Sequence, residues 1–193
     1  MEIRLRLRNK QPKMQFLIGI GLITFFSIML YFTDAYDGGF MKSFICLYDY
    51  VILGVTTLIT IMCYEGNYID GLMSRRDSIF DLLRAKYYFN SAMLLIPFLF
   101  ITPLMIIGKI SVWMNLGYLF FTAGVLYPCV FQLTVYNKNT LPLNVKLAKA
   151  NSGTMMQNII SIVVLFLPIG LEKICVLLLG PVWGYMPLIL LGI

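Results

Sequence analysis

Histidine is absent from the 193-residue sequence. The chain therefore lacks the side chain that most often serves in acid–base catalysis near neutral pH, and it lacks the usual zinc ligand sets. It also has no G-x-S-x-G nucleophile motif and no G-x-x-x-x-G-K-[ST] phosphate-binding loop. We expect neither an enzyme nor a protein that hydrolyses ATP by itself, and we expect no cofactor or metal.

Charged residues are also scarce. They make up 12% of the sequence, against about 25% in soluble domains. Hydrophobic residues make up 60%, and the mean hydropathy is +0.84. The cysteines at positions 46, 63, 129 and 175 are far apart and form no C-x-x-C pair, so neither a disulfide framework nor a metal site is indicated. This composition predicts an integral membrane protein.

The basic residues are unevenly distributed along the chain. Fifteen Lys and Arg residues oppose nine Asp and Glu residues, for a formal net charge of +6. Segment 1–14 carries five of the basic residues, segment 64–89 four and segment 137–154 three, so 12 of the 15 lie in three short segments. Because cytoplasmic loops carry the excess of Lys and Arg, this pattern predicts topology rather than nucleic-acid binding. We expect all three segments and both termini on the cytoplasmic side.

The apolar runs between these segments predict about six transmembrane helices in one all-α transmembrane domain, residues 1–193, a polytopic integral membrane protein. The expected spans are residues 15–32, 44–64, 90–107 and 112–136, followed by two short spans within 155–193. The charged pair Glu172–Lys173 is expected to separate the last two. Pro97 or Pro103 is expected to bend the third span, and Pro128 the fourth, because proline removes a backbone hydrogen bond.

The cytoplasmic elbow, residues 64–89, is polar and compatible with helix between two apolar runs. Asp77 or Ser78 can cap a helix, after which apolar residues recur at helical spacing. We expect an amphipathic helix along the membrane surface. Two interpretations stay open: the elbow anchors its neighbouring spans in membrane lipid, or it is a docking surface for a cytoplasmic partner.

Asp49 is the only acid that the predicted second span contains. An ionised carboxylate inside a membrane is costly, which favours a functional intramembrane polar site. The alternative is a hydrated carboxylate close to the outer headgroups. Asn90 and Asn115 lie at or in spans, where hydrogen bonding between helices is the expected role.

Three stretches resemble the permease subunits of type-2 ABC exporters. In that family an acidic residue ends the second span and opens a short coupling helix, and a lysine begins the third span; Glu65, the stretch GNYIDGLMSRRDS and Lys86 in LLRAKYY match these features. The tail RLRNKQPK and the stretch NSGTMMQNIISIVVLFLP resemble segments of a group of uncharacterised bacterial permease-like membrane proteins. The likeness covers only the carboxyl-terminal half of those relatives.

The resemblance implies a membrane-spanning permease subunit of an exporter in the bacterial inner membrane, in the form of a truncated half. A separate ATP-binding cassette subunit would dock on the elbow, and a second copy or a second permease half would complete the pathway. The docking residues expected from this resemblance are Glu65, Ile69, Asp70, Leu72, Met73, Arg75 and Arg76. The alternative is a membrane scaffold or regulatory protein that transports nothing.

Overall fold

The computed structural model describes residues 9–33, 39–59, 76–135 and 155–193. Within these ranges all regular structure is helical. The helices are α1 (Lys10–Phe32), α2 (Gly39–Ile59), α3 (Arg76–Met93), α4 (Leu95–Ile106), α5 (Val112–Phe121), α6 (Tyr127–Val135), α7 (Met155–Trp183) and α8 (Met186–Gly192), with a π-helical segment, Thr122–Leu126, between α5 and α6. The expected all-α fold is confirmed for the described part of the chain.

Three stretches are long and apolar enough to cross a membrane: Pro12–Phe32, Leu83–Ile106 and Val112–Gln132. They have 21, 24 and 21 residues, and about 20 residues are needed for a hydrocarbon core about 30 Å thick. Large apolar side chains stay on the outside of these helices, including Phe25, Ile28 and Leu99. These features indicate a membrane protein.

Helix α2 is the centre of the bundle, since it contacts α1 and each of α3 to α7. Its buried residues include Leu47, Tyr50 and Val51, which join one continuous hydrophobic core with residues of the surrounding helices. Gly54 allows α6 to come close: a Cβ atom at this position would lie 2.0 Å from the Tyr127 ring. The position of α2 matters for function because it also carries Asp49.

Two of the expected proline effects are visible in the helices. The third span is interrupted at Leu94, between α3 and α4, one turn before Pro97. Pro97 has no N–H to donate to the carbonyl four residues earlier. At the interruption, the Leu94 N–H bonds to the Ser91 carbonyl, three residues earlier. Pro103 stays inside α4. The π-helical segment ends just before Pro128, so the fourth span is also irregular at its predicted position.

The elbow does not end in a separate helix before the third span. Helix α3 runs without a break from Arg76 to Met93 and so passes the predicted boundary at Phe89. No glycine or proline occurs between Arg76 and Met93 that would stop it. The rest of the elbow, residues 64–75, falls outside the described residues, and so do the two other basic segments apart from residues 9–14.

The prediction that Glu172–Lys173 separates two spans is wrong. Helix α7 continues through both residues, and its non-helical residue is Gly180, with φ 86° and ψ 171°. A positive φ is easily adopted only by glycine, and Pro181 follows at once in the sequence. The chain then turns sharply. Gly184 comes so close to α7 that a Cβ atom on it would lie 2.5 Å from the Val176 Cα atom. Helix α8 returns along α5.

Candidate functional site

Asp49 lies deep inside the bundle. Helix α2 begins at Gly39, ten residues earlier, which corresponds to about 15 Å at 1.5 Å per residue. The side chain is 0% exposed. The bundle therefore shields the Asp49 carboxyl group from solvent, and the intramembrane polar site at Asp49 stays a prediction.

The carboxylate of Asp49 has little to balance it. Ser27 Oγ on α1 lies 3.4 Å from Asp49 Oδ2, a long distance for an O–H···O hydrogen bond. Within the described ranges, Asp49 Oδ1 has no hydrogen-bond partner. A buried polar atom without a partner is uncommon and costly, so the site needs either another occupant or a neutral carboxyl group.

The surroundings of Asp49 are apolar on both helices. Ile45, Ile52 and Leu53 lie three or four residues from Asp49 on α2, and all three are buried. Ile23 and Leu30 stand in the same relation to Ser27 on α1 and are also buried. Residues at these spacings share one helix face, so Asp49 and Ser27 meet within an apolar seam.

A second buried acid, Glu172 on α7, is fully surrounded by donors. It is 1% exposed. Tyr118 OH donates to its Oε2 at 2.6 Å. Ser43 Oγ, Lys173 Nζ and Tyr185 OH lie 2.9, 3.3 and 3.4 Å from its Oε1. We name these five residues the Glu172 cluster. It joins α2, α5 and α7 to the turn before α8.

Lys173 connects this cluster to the start of α2. Its Nζ donates to the Gly39 carbonyl at 2.8 Å and to Ser43 Oγ at 3.2 Å. The ion pair with Glu172 Oε1 spans 3.3 Å, and Lys173 is partly exposed while Glu172 is buried. The charge of Glu172 is thus compensated within the protein, which is what an acid inside an apolar bundle requires.

The two asparagines for which hydrogen bonding between helices was expected differ in the contacts they make. Asn115 on α5 accepts a hydrogen bond from Tyr50 OH on α2 and donates to Met105 Sδ on α4 at 3.0 Å. The prediction that Asn115 bonds between helices is therefore confirmed. Asn90 donates to the Lys86 carbonyl of its own helix at 2.8 Å.

The predicted docking residues are largely beyond the described part of the chain. Glu65, Ile69, Asp70, Leu72, Met73 and Arg75 lie in the segment 60–75, and Arg76 is the first residue of α3. The described part of the elbow has one contact that the sequence did not indicate. Tyr87 OH on α3 donates to the Ala123 carbonyl in the π-helical segment at 2.7 Å.

The Glu172 cluster is the feature that sequence reasoning missed. Glu172 and Lys173 stand in an apolar run that extends from Ile159 to Leu179, where the sequence predicts that the pair separates two spans. An ionisable residue within such a run is itself a signal of a buried polar site. Its partners Ser43, Tyr118 and Tyr185 are distant in sequence, and no spacing pattern relates them.

In the described part of the chain, these helices are those of an all-helical membrane protein that has two acids buried in its bundle. The chain belongs to a protein family as well, because the model described as a family of unknown function (DUF5687) matches residues 1–193. No curated protein and no solved structure matches the chain.

Proposed function

We propose that this chain is the membrane-spanning subunit of an ABC-type exporter in the bacterial inner membrane. A separate ATP-binding cassette subunit docks on the elbow, residues 64–89, and moves the bundle. A second copy or a second permease half completes the pathway. The proposal rests on the resemblance of the elbow to type-2 exporter permeases and on one structural observation, the path of α3.

Helix α3 supplies a direct connection from the elbow into the bundle. It begins at Arg76, one of the proposed docking residues, and it continues into the apolar stretch Leu83–Ile106. Lys86 and Asn90 on this helix are buried. Because a continuous helix moves as a unit, a displacement at Arg76 is carried to the residues packed in the bundle.

We propose that such a displacement acts on the hydrogen bond between Tyr87 and the π-helical segment. In the π-helical segment, Tyr127 N–H bonds to the Thr122 carbonyl five residues earlier. The next carbonyl, that of Ala123, would require the N–H of Pro128, which does not exist. Tyr87 OH satisfies this carbonyl at 2.7 Å. Segments of π-helix inside α-helices occur frequently at functional sites.

We also propose six spans with both termini cytoplasmic. Helices α1, α2 and α7 have 23, 21 and 29 residues, and the pairs α3–α4 and α5–α6 supply two more spans. Helix α8 has 7 residues, too few to cross a membrane alone, so the helices support five spans and the sixth rests on the sequence pattern. The location of 12 of the 15 basic residues in three segments supports the orientation.

Co-purification with the ATP-binding subunit tests the docking step. We expect Leu72→Ala to reduce recovery of the ATPase roughly tenfold, since a truncated anchor costs on the order of 1–2 kcal/mol of binding. We expect Arg75→Lys to reduce it as well, because lysine cannot bind a carboxylate through two parallel hydrogen bonds. The control is Asp37→Asn. Equal recovery of all three variants, each inserted normally, would favour the scaffold instead.

The coupling step is tested with Tyr87→Phe in liposomes that contain the assembled transporter. We expect the ATPase to bind normally while transport per ATP hydrolysed falls, because the Ala123 carbonyl loses its donor. Tyr88→Phe is the matched control, since Tyr88 is exposed on the neighbouring position of the same helix. The coupling argument fails if both variants transport as the wild type does.

A further inference from the structure

Asp49 differs from Glu172 because no positive group accompanies it. Among the described residues, neither a lysine nor an arginine forms an ion pair with Asp49, and Ser27 Oγ at 3.4 Å is its sole hydrogen-bond donor. The effective penalty for burying an unpaired ion is several kcal/mol even after relaxation of the protein. A neutral carboxyl group avoids that cost.

The titratable groups around Asp49 do not supply the missing charge. On α2 they are Cys46, Tyr48 and Tyr50, and the Tyr50 hydroxyl is directed at Asn115. The buried titratable side chains on the other described helices are those of Lys86, Tyr118, Tyr127 and Glu172. Tyr118 binds Glu172, and Tyr127 OH binds the Tyr50 carbonyl at 3.3 Å. None of these four forms a hydrogen bond or ion pair with Asp49 in the described structure.

A proton is the occupant that this geometry fits. A hard cation such as Ca²⁺ takes six to eight oxygen ligands, and Mg²⁺ requires a near-ideal octahedron. The seam between α1 and α2 offers one carboxylate and one hydroxyl, with isoleucine and leucine side chains around them. One proton on the carboxylate removes the negative charge and requires no further ligand.

We propose that Asp49 is an intramembrane proton-binding site, which holds a proton while α1 packs against α2 and releases it when that seam admits water. The step is a proton transfer alone: the carboxylic O–H bond breaks, the proton goes to water, and a carboxylate remains. Water must reach the seam for the release, because Ser27 is the single hydrogen-bond donor to Asp49 among the described residues. Proton binding is thus linked to the packing of α1 on α2, whether or not an ATPase docks on the elbow.

Infrared spectroscopy of the purified protein in lipid tests the proposal. At neutral pH we expect the C=O stretching band of one protonated carboxylic acid per chain. The band should disappear in Asp49→Asn, which keeps the size and neutrality of the side chain. It should persist in Asp81→Asn, the matched control, because Asp81 is exposed on α3.

A measurement on the wild type alone covers the case in which Asp49→Asn does not fold. Incorporation of ¹³C-labelled aspartate should shift the band to lower frequency, whereas labelled glutamate should leave it in place. This result would also separate Asp49 from Glu172. The proposal is overturned if the wild type shows no such band at neutral pH, if the band survives in folded Asp49→Asn, or if labelled aspartate does not shift it.

Discussion

Replacement of Tyr118 by phenylalanine removes one oxygen from the Glu172 cluster and leaves the aromatic ring in the core. Tyr118 is fully buried, and its hydroxyl is the one donor to Glu172 Oε2 in the described structure, at 2.6 Å. That distance is typical of an O–H···O⁻ bond to an ionised acceptor. Hydrogen bonds to charged groups contribute about 1.5–3 kcal/mol, whereas bonds between membrane helices average about 0.6 kcal/mol.

The two magnitudes lead to different expectations. If Glu172 is the charged acceptor, Tyr118→Phe should lower the free energy of unfolding by about 1.5–3 kcal/mol, roughly a 10- to 100-fold change in the unfolding equilibrium. Tyr185→Phe is the control, because its hydroxyl lies 3.4 Å from Oε1, which Ser43 and Lys173 also approach. We expect that control to cost no more than about 0.6 kcal/mol.

Equilibrium unfolding in mixed micelles of a mild detergent and SDS would measure both variants, followed by tryptophan fluorescence. The reasoning is refuted if Tyr118→Phe costs no more than Tyr185→Phe. Such a result would mean that the hydrogen bond from Tyr118 to Glu172 contributes no more than an ordinary hydrogen bond between membrane helices.

Three further predictions concern packing, capping and topology. Gly54→Ala should destabilise the bundle by about 1–3 kcal/mol in the same unfolding assay, because the new Cβ would meet the Tyr127 ring at 2.0 Å. Lys109→Gln should cost about 0.3–1 kcal/mol, since its Nζ donates to the last carbonyls of α1 at 3.1 Å; a gain in stability would contradict this. Cysteines introduced at Asn139 and Arg76 should react with an impermeant reagent from the same face of the membrane, and reaction from opposite faces would disprove the orientation.

Composition and hydropathy predicted the helical class, and three of the predicted spans coincide with helical stretches long and apolar enough to cross a membrane, because both depend on local properties of the chain. The positions of irregular backbone were predictable for a similar reason: Pro97 and Pro128 each remove a specific N–H donor. The end of α7 was not predictable in this way. By itself, the sequence predicts that Glu172 lies outside the membrane, whereas its partners Tyr118 and Lys173 stabilise it in a buried position. The break occurs at Gly180.

The candidate site was predictable in part. Asp49 attracted attention as an acid within an apolar run, but its depth depended on where α2 begins, and the helix starts at Gly39 rather than at residue 44. Its neighbour Ser27 lies 22 residues earlier in the chain. Packing of α1 on α2 brings Ser27 and Asp49 together, and no sequence motif predicts that packing.

The two buried acids lie in the same bundle but differ in the groups that stabilise them. This difference favours a structural role for Glu172 and a functional role for Asp49. Glu172 has donors on both carboxylate oxygens and a lysine at 3.3 Å, so a negative charge on Glu172 is compatible with tight packing of the helices. Asp49 has one distant hydroxyl and an oxygen without a partner among the described residues. Its ionised form is compatible only with a rearranged seam. Because ionised Asp49 is incompatible with the packing of α1 on α2, gain or loss of a proton at Asp49 can be linked to a movement of these two helices. Helix α2 contacts most of the other helices, so its movement would also affect them.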